Sequence, residues 1–158
     1  MSDAQAAHEA TMTALLPALA GANLIYGLGM LESGQTWGHE KMVIDNEIAS
    51  MIRRVIQGID VTDETMAVDI IKQAHEIKDF LRQRHTIQFM AQEQSRPKLI
   101  DRTTQGVWEA KGSTDLTQRA REEARRIIKT HQPEPLSDDV KKRLREIVKS
   151  AEKEAVAV

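Results

Sequence analysis

Gly21 to Arg54 reads GANLIYGLGMLESGQTWGHEKMVIDNEIASMIRR, and this stretch decides the fold prediction. Its apolar run, Asn23 to Leu31, is interrupted by glycines and ends at the acidic Glu32. A glycine-containing turn follows, and then apolar residues recur at helical spacing. A strand that ends at a carboxylate, followed by a glycine loop and a helix, is typical of one βα unit of a (β/α)8 barrel. Side chains at that end of a barrel strand face the active site.

A helix over Asn23 to Leu31 is the alternative, but each interior glycine would cost about 1 kcal/mol relative to alanine, so we predict a strand. The chain has 158 residues, whereas a complete (β/α)8 barrel needs about 200 or more. We therefore expect an α/β fold that is the C-terminal portion of a TIM barrel with a helical extension, predominantly α-helical as an isolated chain. Residues 1–112 would form the partial barrel and residues 113–158 the extension.

Helix signals account for most of the remaining chain. Asp3 or Ser2 can cap a first helix that Pro17 ends near Ala20. The other predicted helices are His39 to Gln57, a short helix capped by Thr62 that can continue through His75 toward Gln83, Thr86 to Glu93, a short helix around Trp108, Ser113 to Thr130, and a last helix after Ser137.

Composition excludes several classes of function. The net charge of −2 gives no reason to expect nucleic acid or an anionic membrane as a partner. The chain has no cysteine, which rules out disulfides and thiolate metal sites. No run approaches the roughly 18 apolar residues of a membrane span, and the start lacks the basic and apolar regions of a secretion signal. We expect a cytoplasmic protein with no bound metal.

Several motifs resemble the trimethylamine methyltransferase (MttB) family. They are the run quoted above, with GANLIYG, GMLESG, VIDNEI and MIRR, then RHTIQFMAQEQSRPKLIDR, Trp108-Glu109, and the tail from Thr130 to Pro135. The resemblance implies that a methyl group leaves trimethylamine, or a quaternary amine such as glycine betaine, and passes to the Co(I) of a corrinoid. It also implies that a separate partner protein carries this corrinoid, so that the chain itself binds no cofactor directly.

Binding of a methylammonium group favours aromatic faces, which attract a cation without competing for hydrogen bonds. Tyr26 and Trp37 are the substrate-binding candidates. Glu32 is a catalytic candidate, since a carboxylate there can complement the positive charge. The alternatives are a core position for Tyr26 and a loop-capping role for Glu32. Within the family run, Asp45 to Glu47 lie in a helix, where capping, a salt bridge with Arg53 or Arg54, or subunit packing is favoured over catalysis.

One segment departs from the family pattern. Where relatives carry a glycine-rich stretch that ends in a pair of histidines, His75 to Thr86 reads HEIKDFLRQRHT. This sequence has no glycine and can continue the preceding helix. His85 is retained and is the second catalytic candidate, with a capping or surface role as its alternative.

Two functional hypotheses follow. The first is the C-terminal part of a corrinoid-dependent methylamine methyltransferase, incomplete and inactive alone. The second is a non-catalytic, helical scaffold that self-associates. An apolar edge strand favours a homo-oligomer, with Ile25, Tyr26, Ile48 and Ile52 near the contact.

Overall fold

The structure is a computed structural model that describes residues 2–76 and 79–156. It is 64% helical, which confirms the predominantly helical prediction. The elements in chain order are α1 (Ala4–Leu19), β1 (Met30–Leu31), β2 (Thr36–Trp37), α2 (His39–Ile56), α3 (Asp63–Met66), α4 (Val68–Lys72), α5 (Arg84–Glu93), α6 (Gln105–Ala110), α7 (Leu116–Thr130) and α8 (Asp138–Val156). Short 3-10 turns lie at Glu32–Gly34 and Phe80–Arg82.

The chain divides into two compact units, Met1–Arg126 and Ile127–Val158. In the first unit α1 packs against α2. The buried apolar side chains of this unit that form its core come from α2 and α7: Ile44, Ile52, Ala120 and Ala124. The second unit contains α8, whose apolar residues Val140, Leu144, Ile147 and Val148 are all exposed.

Helices α1 and α2 form where the sequence predicts them. The Asp3 carboxylate accepts a hydrogen bond from the backbone N–H of Ala6 (3.0 Å), so it satisfies one of the free donors of the first turn of α1. Pro17 lies in the last turn, and the helix ends at Leu19. Helix α2 ends before Gly58, whose φ of +71° is a conformation that favours glycine.

The predicted strand from Asn23 to Leu31 is wrong in its extent. Only Met30–Leu31 is a strand, and it pairs antiparallel with Thr36–Trp37 in a two-stranded hairpin. Gly27 and Gly29 adopt φ values of +98° and +84°, which turn the backbone away from an extended path. A long parallel strand also needs neighbouring strands, and the part of the chain that the structure describes contains none besides this hairpin.

The helix predicted from Thr62 toward Gln83 is also shorter than expected. Thr62 does cap it, through a reciprocal capping box with Thr65. The helix breaks at Ala67, which has a left-handed φ of +52°, and α4 ends at Lys72. Most side chains from Val68 to Glu76 are exposed, so little packing supports a longer helix. Positions 77 and 78 of the predicted helix lie outside the described residues.

The remaining helices agree with the sequence in number and differ at their ends. α5 begins at Arg84 rather than Thr86, and α6 contains Trp108 as expected. α7 begins at Leu116 rather than Ser113, because the Asp115 carboxylate accepts the backbone N–H of Gln118 (2.7 Å) and so caps its first turn.

Candidate functional site

Residues 27–38 form a tight turn-rich hairpin, here named the glycine hairpin. At its centre, the Gly29 N–H donates to Asp45 Oδ2 (2.8 Å), and the Gly29 carbonyl accepts from the Gly38 N–H (2.9 Å). A Cβ atom at Gly29 would lie 2.5 Å from the Trp37 indole nitrogen, which is closer than van der Waals contact permits. Both the positive φ and this close approach therefore require glycine at position 29.

A pocket of about 460 Å³ lies beside the glycine hairpin, bounded by α1, residues 25–34 and α2. Two of the predicted site residues, Tyr26 and Glu32, line it. The other residues of its wall include small side chains of α1, which leave the space open, and polar groups from both helices: Ala6, Glu9, Ala10, Thr13, Lys41 and Asp45.

The two predicted aromatic residues have different environments. Tyr26 is 82% exposed, so the alternative of a buried core tyrosine does not hold. Trp37 is about half exposed, and its indole N–H donates to the Leu28 carbonyl (3.0 Å). Its ring also meets the His39 ring edge-on, with the centroids 4.8 Å apart. Trp37 is thus anchored to the glycine hairpin and is not among the described residues that line the pocket, whereas Tyr26 lies at the pocket mouth and is open to solvent.

Glu32 begins the 3-10 turn of the glycine hairpin in a strained conformation. Its φ is +52°, and that of the next residue, Ser33, is +54°; both values are unfavourable for residues with a side chain. The Thr36 hydroxyl donates to Glu32 Oε2 (2.7 Å) and orients the carboxylate. Backbone strain of this kind clusters at functional sites, which makes it an independent reason to regard Glu32 as a candidate.

His85 lies on α5 and is not among the described residues that line the pocket. Its Nε2 lies 2.8 Å from the backbone carbonyl of Glu64 on α3, and its ring contacts Phe89 with the centroids 4.5 Å apart. Because a carbonyl can only accept, Nε2 carries the proton in this contact. The structure therefore brings Tyr26 and Glu32 together and places His85 in a contact between two helices.

Sequence reasoning missed a buried ion pair beneath the pocket. Lys41 Nζ lies 2.5 Å from Asp45 Oδ1, and both residues are buried, at 3% and 7% exposure. The signal was present, since Lys41 and Asp45 share the helix face of Ile48 and Ile52 at spacings of four, three and four residues. Of the alternatives for the run Asp45 to Glu47, a salt bridge with Arg54 is not the one found, because Arg54 pairs with Glu93 on α5 (2.5 Å).

Glu47, the other buried acid of this run, has a backbone role. Its Oε1 accepts hydrogen bonds from the N–H groups of Leu99 (2.5 Å) and Ile100 (3.1 Å). The Leu99 carbonyl in turn accepts from Arg119 Nε on α7 (2.8 Å). Glu47 therefore fixes the segment before α6 to α2, in agreement with the expectation of a structural rather than catalytic residue.

The resolved shifts in pKa lie away from the pocket. Two hydrogen bonds from Thr103, one from its hydroxyl and one from its backbone N–H, lower the pKa of the Asp101 carboxyl below its ordinary value. The hydrogen bond from Arg126 lowers the pKa of Glu123, and the same contact raises the pKa of Arg126. The Asp101 contact lies in the loop before α6, and Glu123 and Arg126 pair one turn apart on α7.

Metal-binding groups and membrane-spanning helices also bear on the kind of site. Across residues 2–76 and 79–156, no three His, Cys, Asp or Glu side chains are grouped as they would be to hold a metal ion. In the same described ranges, no helix has the length and apolar character needed to cross a membrane. The geometry defines an open pocket with an exposed aromatic ring and an oriented carboxylate, suited to a small organic cation.

The family model and the similar proteins of known name agree on one family. The family model "Trimethylamine methyltransferase (MTTB)" matches residues 1–156. The trimethylamine methyltransferase MttB of Desulfitobacterium hafniense is 50% identical over 152 residues, and that of Methanosarcina barkeri is 47% identical over 151. A glycine betaine methyltransferase of D. hafniense is 30% identical over 153 residues. Each alignment covers 96% of this chain.

The chain belongs to the trimethylamine methyltransferase (MTTB) family. It spans 30% of the length of the two trimethylamine methyltransferases and 32% of the glycine betaine methyltransferase. The match corresponds to a C-terminal portion of these relatives.

Proposed function

We propose that this chain is the C-terminal part of a methylamine methyltransferase. In this proposal, the complete protein transfers a methyl group from trimethylamine, or from a quaternary amine such as glycine betaine, to a corrinoid carried by a partner protein. One observation carries the proposal: in a chain of this family, the exposed ring of Tyr26 and the carboxylate of Glu32 line one open pocket.

The residues of the pocket suit a methylated ammonium ion. The face of Tyr26 can attract a methylated cation without needing a hydrogen bond from it. Glu32, oriented by Thr36, adds a negative charge to the same wall. The partner's corrinoid supplies the cobalt that accepts the methyl group. Residues of this chain would hold the amine while leaving the pocket mouth near Tyr26 open toward that partner.

The amount of exposed apolar surface supports a role as one part of a larger assembly. The chain has 13147 Å² of accessible surface, whereas a folded monomer of its mass has about 8000 Å². Large apolar side chains more than three-quarters exposed include Leu24, Tyr26, Ile59, Val61 and Leu81. We infer that further parts of a barrel cover some of this surface, and that the chain alone does not turn over methylated amines.

A chimera tests this proposal. The segment of the D. hafniense trimethylamine methyltransferase that aligns with this chain is replaced by this chain, and the product is mixed with reduced corrinoid protein and trimethylamine or glycine betaine. Conversion of Co(I) to methyl-Co(III), followed by absorbance, is the expected result, with little conversion by the isolated chain. A chimera that folds and binds its partner but transfers no methyl group from either amine would contradict the proposal.

The exposed apolar surface also favours the second candidate, a helical scaffold that self-associates. A second copy could cover the same side chains through a two-fold interface. Of the residues expected near such a contact, Tyr26 is exposed but Ile52 is buried inside the chain at 6% exposure, so Ile52 cannot meet a second copy. Sedimentation of the isolated chain across a concentration series tests this candidate, and a monomer at all concentrations would exclude it.

A further inference from the structure

Asp45 on α2 uses both of its carboxylate oxygens, one within the helix and one toward the glycine hairpin. Its Oδ1 pairs with Lys41 one helical turn earlier, and its Oδ2 accepts the Gly29 N–H at 2.8 Å. Gly29 is 16 residues away in sequence and is itself buried. The ion pair therefore also fixes the centre of the glycine hairpin to α2.

We propose that Lys41 and Asp45 are positioning residues, which hold the glycine hairpin so that Tyr26 and Glu32 face the pocket. Their consequence for methyl transfer rests on the proposed function above. Lys41 and Asp45 also line the pocket floor, so the residues that fix the hairpin are adjacent to the space they shape.

A purely stabilising role does not explain a buried ion pair at this place. Removing two charges from water costs several kcal/mol, and replacing such a pair with apolar side chains of similar volume is often neutral or stabilising. Apolar residues could fill the α2 face between Ile44 and Ile48 equally well. What they could not do is accept the hydrogen bond of the Gly29 N–H, which would then be buried without a partner.

The geometry around Gly29 shows why one accepted hydrogen bond can fix the whole hairpin. The Gly29 carbonyl is bonded to Gly38, and the carbonyl of the preceding Leu28 accepts the Trp37 indole N–H. These contacts join the two arms of the hairpin to each other. The arm that ends at Gly38 leads directly into α2, where the Gly38 carbonyl accepts the Met42 N–H (2.9 Å). The Gly29 N–H joins the other arm to α2, so its loss lets that arm move relative to the helix.

Two double variants separate charge from hydrogen bonding. Lys41→Met/Asp45→Asn, here named the asparagine variant, removes both charges but keeps a side-chain oxygen that can accept the Gly29 N–H. Lys41→Met/Asp45→Leu, here named the leucine variant, removes the charges and the acceptor together. Asn46→Leu, on the exposed side of the same helix, is the matched control.

The first readout is amide hydrogen exchange measured by NMR at the Gly29 N–H and the Trp37 indole N–H, with the Trp108 indole as an internal reference. The indole N–H of Trp108 donates to Thr114 instead. We expect exchange at Gly29 to accelerate at least about tenfold in the leucine variant, and less than about threefold in the asparagine variant or in the control. Exchange at Trp108 should not change. Equal exchange at Gly29 in the two double variants would overturn the proposal.

The second readout is steady-state methyl transfer in the chimera that carries the same variants. Misplaced Tyr26 and Glu32 should lower kcat/KM about tenfold in the leucine variant at a temperature where circular dichroism shows it folded, and the asparagine variant should retain most activity. If the leucine variant exchanges faster yet transfers methyl groups normally, the hairpin is fixed by Asp45 but does not position the site, which overturns the proposal. If the unmodified chimera is inactive, the proposed function fails, and the exchange data still decide whether Asp45 fixes the hairpin.

Discussion

The glycine hairpin and the short-helix region, residues 62–76 and 79–93, differ in the contacts that hold their short elements in place. Both contain left-handed residues and short elements that could not persist alone. The hairpin is fixed to α2 by the buried Lys41–Asp45 pair. The short-helix region is joined to α2 by the partly buried Arg54–Glu93 pair at its end, and within it the Asp79–Arg82 pair at 3.5 Å is exposed. Its described residues include no buried side chain.

This difference has a consequence for the candidate site. The segment that keeps the family motif, from Gly27 to Glu47, is held by buried polar contacts that require particular residues. The segment that differs from the expected motif, His75 to Thr86, contains no glycine, and most of its described residues are exposed. The pocket beside the hairpin, rather than the surroundings of His85, is therefore the candidate site.

The largest expected difference is between two single substitutions of a paired cation. Lys41→Met leaves the Asp45 carboxylate buried without its counter-ion, which should lower the free energy of unfolding by about 3–5 kcal/mol. Arg82→Met removes an exposed partner and should leave the free energy of unfolding nearly unchanged. Urea unfolding followed by circular dichroism measures both. Equal losses in the two variants would remove the distinction between the regions.

The second comparison uses two residues with positive φ. Gly29→Ala would place a Cβ against Trp37 and would leave an alanine in a left-handed conformation. We therefore expect the free energy of unfolding to fall by about 2–4 kcal/mol. Ala67→Gly relieves a left-handed alanine between α3 and α4 and should stabilise the chain by about 1 kcal/mol. Gly58→Ala is the control for φ alone, since no atom lies within 4 Å of its added Cβ. If Gly29→Ala and Gly58→Ala lower the free energy of unfolding by the same amount, the close contact with Trp37 is refuted.

The third comparison concerns activity in the chimera. Glu32→Gln keeps the hydrogen bond from Thr36 but removes the charge, and we expect kcat/KM for trimethylamine to fall about tenfold. His85→Gln keeps a donor for the Glu64 carbonyl and should lower kcat/KM less than about threefold. Methyl-Co(III) formation measures both, and a larger effect at His85 would move the site toward α5.

The smallest expected effect is a pH dependence in the loop before α6, outside both regions. Thr103→Val removes the hydroxyl hydrogen bond that lowers the pKa of Asp101. A carboxyl whose pKa is lowered in the folded state stabilises the fold at any pH well above 3.8, its ordinary pKa. This contribution disappears as the pH falls through the lowered pKa. The wild type should thus be slightly more stable than the variant at neutral pH and equal to it in strong acid. If the difference in stability between wild type and variant instead grows as the pH falls, the expected direction of the pH dependence is wrong.

Much of the local structure was predictable from the sequence. Asp3, Thr62 and Gly58 mark helix ends because capping depends on residues within one turn. The periodicity of α2 predicted the helix, although Met42, Val55 and Ile56 of the apolar pattern are exposed. The candidate residues Tyr26 and Glu32 were found from residue type and from their position beside the glycines, and the structure places both at one pocket.

The sequence by itself determined the helical content, the main helix boundaries, the family and two of the residues that line the pocket. Only the tertiary structure decided that Asn23 to Met30 is mostly irregular, that Lys41 is buried, and that Asp45 binds Gly29 rather than Arg53 or Arg54. The physical reason is the range of the interactions involved. A cap or a helical repeat is set by neighbours a few residues away, whereas a strand needs partner strands and a buried carboxylate takes whichever donor the packing of distant segments brings within reach.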